Sequence, residues 1–416
     1  MSAVAGWTPK RLTELGDYIN GYAFKPDDWG KDGLPIIRIE QLKNPNAPTD
    51  YFGGKLPSSR IIDDGDLIFS WSASLFLRIW RHGRAALNQH LFKVVEYEGV
   101  DRFFLKAFID FYLPELTAAS HGSTMQHITR KELNRFSALF PESKPEQTKI
   151  AEILSTVDRA IVQTEALIAK QQRIKTGLMQ DLLTRGIDAD GNLRTEQTHE
   201  FKDSPLGRIP VEWDCRSLDW ASTHIVDCPH TTPNFLSSGV LVIRTFNVKA
   251  GKLAGEFSYV SELEYESRIA RLAPLPGDLI FTREAPVGEA FVIPDKLQVC
   301  LGQRTMQIRC DLEKFLPTYL LEAIYSEDMK IRFDQMVGGT TNPHLNVSDV
   351  RSLLLRIPGV HEQLRITNYI GCLRDSLSQF ELQLAKLIAL KTALMQDLLT
   401  GRKRVTALLA DPPVPA

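Results

Sequence analysis

A heptapeptide, Leu-Met-Gln-Asp-Leu-Leu-Thr, stands at residues 178–184 and again at residues 394–400. The same offset of 216 positions relates Glu146-Gln147 to Glu362-Gln363, so the whole segment closed by each heptapeptide is duplicated. Both segments carry apolar residues on a coiled-coil period. The first runs Ile150, Leu154, Val157, Ile161, Ile168, Leu178 and Leu182, interrupted by Thr164, Gln171 and Lys175. The second runs Ile366, Ile370, Leu373, Leu377, Phe380, Leu384, Leu387, Leu394 and Leu398, interrupted by Lys391. The registers coincide over about five heptads, a 3.5-residue period that a solitary surface helix rarely sustains. Each helix is therefore the other's expected partner.

Antiparallel pairing is expected. From Gln147 to Thr184 a helix is about 57 Å long at 1.5 Å per residue, enough to span roughly 17 base pairs. A parallel pair would need a connection of that length, and residues 185–212 offer turns (Asp190-Gly191-Asn192, Ser204-Pro205-Leu206-Gly207) but no helix. Blocks of mixed composition precede each helix. In the first, residues 34–42, 66–71 and 87–97 read as strands, residues 102–112 as a helix limited by Pro114, and a short helix starts at Thr129. The second block repeats that order with little identity: Trp7 and Leu12 match Trp213 and Leu218, Ile37-Arg38 matches Ile243-Arg244, and Gly65-Asp66 matches Gly277-Asp278.

At 416 residues the chain exceeds one ordinary domain. The expected fold is α+β: two pseudo-symmetric mixed α/β domains separated by two long antiparallel helices forming a coiled coil. The expected limits are 1–143 for the first domain, 144–186 for the first helix and 187–212 for a linker. The second domain follows at 213–359, the second helix at 360–402 and a disordered tail at 403–416. No apolar run approaches a membrane span and residues 1–10 show no leader, which points to a soluble intracellular protein. Cys215, Cys228, Cys300, Cys310 and Cys372 lack CxxC spacing and read as unpaired core thiols. The formal charge of −2 gives no global attraction to nucleic acid, so local patches must carry any such role.

Order and motifs together resemble the specificity subunit of type I restriction–modification systems. The shared features are block–helix–block–helix, the Ser204-Pro-Leu-Gly-Arg-Ile-Pro-Val-Glu-Trp213 opening, the Gly-Asp-Leu-Ile-Phe strands, and Glu-Gln starting a helix that ends in Leu-Met-Gln-Asp-Leu-Leu-Thr. The resemblance extends to about Arg404. It implies two target recognition domains, each reading half of a split double-stranded DNA sequence, with the coiled coil fixing the gap. It further implies two methyltransferase (M) subunits docked on the helices, restriction (R) subunits beyond them, and a role in DNA methylation and phage defence in the prokaryotic cytoplasm. S-adenosylmethionine, ATP and Mg are expected on those partners, with no cofactor bound by this chain. Two alternatives remain: a specificity subunit of a type II system, and a structural adaptor that never touches DNA.

Catalytic signatures are missing. There is no Walker A loop and no HExxH, and Asp411-Pro412-Pro413-Val414 lacks the aromatic residue of an amino-methyltransferase tetrad. Cys228, His230, His121 and His127 do not complete a metal site. Candidates for DNA contact are more numerous. In the first domain Arg78, Arg81, His82 and Arg84 surround Trp80, followed by Asn88, Gln89 and His90. In the second they are Arg244, Asn247, Lys249, Lys252, Arg283, Gln303 and Arg304. Arginines suit phosphates, while Asn and Gln pair with adenine edges. The loops carrying Gly122, Ser123, Thr124, Gln126 and His127, and Gly339, Thr340, Thr341, Asn342 and His344, add hydroxyls and amides. For subunit docking the apolar stripe beside the helix seam is expected to serve, through Ile153, Leu167, Ile174, Met179, Ile388 and Met395.

Overall fold

A computed structural model describes residues 4–118, 127–338 and 343–409. The chain forms two compact units, one from Met1–Ala166 with Leu382–Ala416, the other from Leu167–Glu381. Both long helices, Lys144–Thr184 and Val360–Leu399, contribute to both units. The first unit takes the start of one helix and the end of the other: Ile150 and Leu154 share its core with Leu398 and Leu399. The second takes the converse ends, Leu182 and Leu183 with Ile366 and Ile370. The two helices therefore run antiparallel, and in the first unit Lys391 Nζ meets Asp158 Oδ1 at 2.6 Å across the pair. Both leucines of each Leu-Leu pair are buried, so the repeated heptapeptide contributes domain core as well as helix seam; each such leucine stabilises by about 1.5–3 kcal/mol.

The two units repeat one strand plan. In the first, an antiparallel sheet has the order Gly16–Asn20, Leu91–Glu96, Leu67–Ser70, Phe76–Ile79. In the second, the order is Ser222–Asp227, Thr305–Cys310, Leu279–Arg283, Val287–Val292. Each unit adds a parallel pair, Leu34–Ile37 with Ala85–Leu87 and Val240–Ile243 with Val299–Leu301. Each also closes with a pair that leads into a long helix, Trp7–Arg11 with Ser137–Pro141 and Asp214–Ser217 with Leu354–Ile357.

The matched residues are those that chain geometry demands. Gly65 and Gly277 turn the chain at φ of 93° and 89°, a region closed to most side chains. The next residue ties the turn to the sheet. Asp66 accepts from Asp63 N at 2.8 Å and Lys93 Nζ at 2.7 Å, and Asp278 accepts from Leu275 N at 2.8 Å and Arg309 Nε at 2.8 Å. Gln147 pins the first helix to its domain, accepting from Asp101 N and donating to Gly99 O and Pro141 O. Gln363 makes the same three bonds, with Leu316 N, Lys314 O and Pro358 O.

The neighbouring glutamate is a clamp. Glu146, wholly buried, receives Arg404 Nε at 2.5 Å and Nη2 at 2.8 Å. Glu362 receives Arg194 Nη1 at 2.5 Å, Trp213 Nε1 at 3.0 Å and Ile187 N at 2.9 Å. Each helix start is thus fastened by an arginine that follows the other helix.

Several expectations are corrected. The helix Arg102–Ala118 continues through Pro114; buried Phe108, Ile109 and Leu116 carry it past the hydrogen bond that proline forfeits. Residues 34–42 split into the strand Leu34–Ile37 and the helix Ile39–Lys43, where buried Gln41 accepts from Arg38 N and donates to Pro48 O. Residues 403–409 are not a disordered tail: Arg404 clamps Glu146, Val405 is buried in the first core, and Thr406–Leu408 form a 3₁₀ turn. Residues 410–416 lie outside the described residues. The expected linker 187–212 is folded, with buried Ile187 and Arg194 and a hairpin of Phe201–Ser204 with Gly207–Pro210. Cys228, Cys300 and Cys310 are buried free thiols, with burial pushing Cys310 up to about 12, but Cys372 is exposed.

Candidate nucleic-acid interface

In both units two turns and a bridging histidine meet at the same end of the antiparallel sheet. In the first unit residues 71–75 follow the strand Leu67–Ser70, residues 88–90 join Ala85–Leu87 to Leu91–Glu96, and His127 bridges to Ser72. In the second, residues 284–286 follow Leu279–Arg283, residues 302–304 join Val299–Leu301 to Thr305–Cys310, and His344 bridges to Glu284. A hydroxyl holds each first turn: Ser70 Oγ donates to Ser74 O at 2.5 Å and Thr282 Oγ1 to Pro286 O at 2.7 Å. Ala73 and Ala285 occupy equivalent left-handed positions, φ 58° and 49°, and Arg304 a third at 69°. Such non-glycine conformations cost on the order of 1 kcal/mol each and gather where loop shape serves a function. The sequence signal for the turns is a hydroxyl residue directly after the Leu-Ile-Phe of each strand, Ser70 in one unit and Thr282 in the other.

The chemistry at the two ends differs. In the first unit Trp71 packs against His90 (6.0 Å between ring centroids), His127 (5.8 Å) and Phe92 (5.5 Å). Trp71 Nε1 and His127 Nδ1 are buried without a hydrogen-bond partner among the described residues. Gln89 is exposed beside His90, and Asn88 is buried, its Oδ1 accepting from His90 N at 3.2 Å. Arginines dominate the second unit. Arg283 is largely buried, bonded to Asp227 Oδ2 at 3.0 Å and Leu345 O at 2.9 Å. Asp227 also faces His230 Nε2 at 3.3 Å. Arg304 is exposed beside Glu284 (3.3 Å), and exposed Gln303 donates to His230 O at 3.0 Å. Arg244 lies against the same turn, its Cγ 3.1 Å from where a Cβ on Gly302 would stand.

Other expected contacts are placed elsewhere. Arg81 and Arg84 belong to the opposite end of the strand Leu67–Ser70, beside an acidic turn, where Gly83 N donates to Asp64 Oδ1 and Arg84 sits 3.6 Å from Asp63. Arg78 projects from the exposed strand face over Phe76. Asn247 is a correction: it is fully buried, and its amide donates to Ala254 O and Glu256 O, so it shapes a loop and presents no edge. Lys249 and Lys252 line a groove of about 580 Å³ along the first long helix, with Lys175, Glu322, Tyr325 and Arg374. Burial there pushes Lys175 below the ordinary lysine value, and neighbouring Arg374 adds to the effect. Gly122, Ser123, Thr124, Gln126, Gly339, Thr340, Thr341 and Asn342 lie outside the described residues.

The apolar stripe also divides. Leu167, Ile174 and Ile388 are exposed by 44%, 41% and 49%, whereas Ile153 and Met395 pack on the core of the first unit and Met179 on that of the second. Val162, Leu382 and Leu390 are further exposed apolar residues on these helices. Among the described residues there is no cluster of side chains able to hold a metal ion, and no helix is long and apolar enough to cross a membrane.

Each unit joins an α/β domain of one common strand plan to the start of one long helix and the end of the other. A family model, the type I restriction modification DNA specificity domain, matches residues 5–175. The chain is similar to the type I restriction enzyme EcoBI specificity subunit of Escherichia coli, with 23% identity over 94% of this chain and 84% of the relative. It is equally similar, at 23% identity over 97% and 94%, to the MjaVIII specificity subunit of Methanocaldococcus jannaschii. Its fold is similar to the S subunit of a type I system from M. genitalium (TM-score 0.56, 13% identity, 94% and 96% covered). It also resembles a chain from a structural study of type I system assembly (TM-score 0.58, 17% identity, 95% and 98% covered). The family model and both relatives are of one kind, the type I restriction–modification specificity subunits, a non-catalytic subunit type, and that is the family this chain is similar to.

Proposed function

We propose that this chain is the DNA-reading subunit of a type I restriction–modification complex in a prokaryotic cytoplasm. The domains at 1–143 and 213–359 each read one half of a bipartite duplex target, and the helix pair sets the gap. Two M subunits dock on the helices and R subunits join them, with S-adenosylmethionine, ATP and Mg bound by those partners. The observation that carries the reading is the doubled turn cluster: one frame, repeated, presenting imidazole and indole in one unit and guanidinium in the other. Different side chains on equivalent turns suit two half-sites of different sequence. Leu167, Ile174 and Ile388 are the exposed apolar residues best suited to docking. Inserting one heptad after Glu165, with a compensating heptad in the second helix, is expected to lengthen the preferred gap and leave both half-site sequences intact. The test is selection from random duplexes by the chain assembled with its M subunits. Altered half-sites at an unchanged gap would overturn the spacer role, and equal retention of all duplexes would overturn DNA reading itself.

A further inference from the structure

Arg244 has a setting that its counterpart lacks. Its guanidinium carbon lies 4.8 Å from the ring centre of Phe235 and 4.5 Å from that of Phe246, both phenylalanines being exposed, by 40% and 49%. Among the described residues no carboxylate pairs with it. The equivalent Arg38 of the first unit lies 5.2 Å from Trp29 but is neutralised by Asp50 at 2.7 Å. The backbone beneath Arg244 is rigid. It follows the buried strand Val240–Ile243, its N–H donates to the Oδ1 of buried Asn247 at 3.2 Å, and Gly302 N donates to Ile243 O at 2.8 Å. Gly302 leaves the space that the Arg244 stem fills; a Cβ there would stand 2.8 Å from Ile243 O.

We propose that Arg244, held between Phe235 and Phe246, is the guanine-reading residue of the second domain. The inference rests on the DNA-reading function proposed above. A guanidinium stacked between rings has surrendered much of its rotational freedom before binding, yet keeps the in-plane N–H edge that stacking does not use. Guanine presents O6 and N7 side by side in the major groove, and the planar fork of arginine donates to both at once. A phosphate needs charge but not that planar edge, so a residue meant only for phosphates gains little from paired rings. The exposed neighbours Gln303 and Arg304 on the adjoining turn are placed to engage the flanking base or backbone.

The test uses the full chain assembled with its M subunits and duplex libraries randomised in both half-sites. The wild-type complex is expected to require guanine at one position of the second half-site. Arg244→Lys keeps the charge but loses the fork, and is expected to relax that position alone by about tenfold or more. Phe246→Leu keeps the apolar volume without the stack and is expected to relax the same position by a smaller factor. Replacing that guanine with 7-deazaguanine should weaken wild type but not Arg244→Lys. A uniform loss over all sequences with a salt slope shallower by about one would assign Arg244 to a phosphate and overturn the proposal, as would an unchanged consensus. If the wild-type complex selected no sequence at all, the DNA-reading function would fail and this inference with it. A wild-type consensus untouched by Arg244→Lys would sink the inference alone.

Discussion

The two units share a frame and differ in what they hang on it. Gly65 and Gly277, Asp66 and Asp278, and Gln147 and Gln363 make equivalent bonds in each. At the turn ends His90 stands where the second unit has Arg304, and the neutralised Arg38 stands where it has the unpaired, stacked Arg244. The lesson is that positions solving a problem of chain geometry stay fixed between the copies, while positions facing outward at the turns are free to differ. The same frame can carry two chemistries because its stability lies in the buried tethers and not in the turns.

The clamps test how far the equivalence goes. Removing Arg404 would leave Glu146 buried with no side-chain donor among the described residues, since Trp7 Nε1 does not reach a partner. Removing Arg194 would leave Glu362 still holding Trp213 Nε1 and Ile187 N. Arg404→Ala is therefore expected to cost the first unit about 3–5 kcal/mol, the price of a stranded buried charge. Arg194→Ala is expected to cost the second about 2–3 kcal/mol. All five cysteines lie in the second unit, so thiol labelling during urea unfolding reports on that unit while total ellipticity reports on both. If Arg404→Ala shifted the thiol transition as far as Arg194→Ala did, the units would unfold as one and the comparison would collapse.

A smaller contrast comes from the glycines beside the clamps. Gly186 has φ of 66°, and a Cβ there would stand 2.1 Å from Glu362 Oε1 and 2.3 Å from Trp213 Cζ2. Gly401 has φ of 73°, but its nearest neighbours would be Val4 at 3.2 Å and Trp7 at 3.3 Å. Gly186→Ala is expected to destabilise by about 3 kcal/mol through strain plus overpacking, and Gly401→Ala by about 1 kcal/mol, mainly through strain, because Val4 and Trp7 need give only slightly. Equal losses in denaturant titrations would mean that the two clamps are not packed as differently as they look.

The smallest expected effect sharpens the contrast between Arg38 and Arg244. Asp50→Asn removes the carboxylate that neutralises Arg38. It is expected to raise DNA affinity about two- to fivefold at low salt and to steepen the salt dependence by about one ion. Unchanged binding across a salt series would show that the Arg38 surface does not face DNA.

Much of the architecture was legible because it is periodic or duplicated. The heptads gave the helices, the helix-free connection at 185–212 gave their antiparallel sense, and the glycine–aspartate turns gave the start of the central strands. The clamps were not legible. Glu146 and Glu362 keep the common offset, but Arg194 lies ten residues beyond Thr184 and Arg404 only four beyond Thr400, so no fixed spacing connects them. For the same reason the sequence placed residues 403–409 in a tail, although they are folded. The candidate surface was legible only as a set of residue types. Arg81 and Arg84 are close in sequence to Gln89, yet the strand between them carries the two groups to opposite ends. Asn247 has the right chemistry for a base edge, but burial spends its amide on two carbonyls. Direction and burial are tertiary properties, and residue type alone does not encode them.

The Arg404–Glu146 clamp bears on how the molecule comes into being. The second unit is one continuous stretch, whereas the first is split, its clamp joining residues 258 positions apart. Translation at about 5–20 residues per second puts roughly 13–50 s between the two halves of that ion pair. The usual order, in which the amino-terminal domain matures first, is therefore reversed: the first unit stays incomplete until the segment from Leu382 through Arg404 arrives. A ribosome that stops shortly before Arg404 releases a finished second unit beside a first one whose buried carboxylate has nothing to hold, and quality-control proteases are offered the beginning of the chain and not its end.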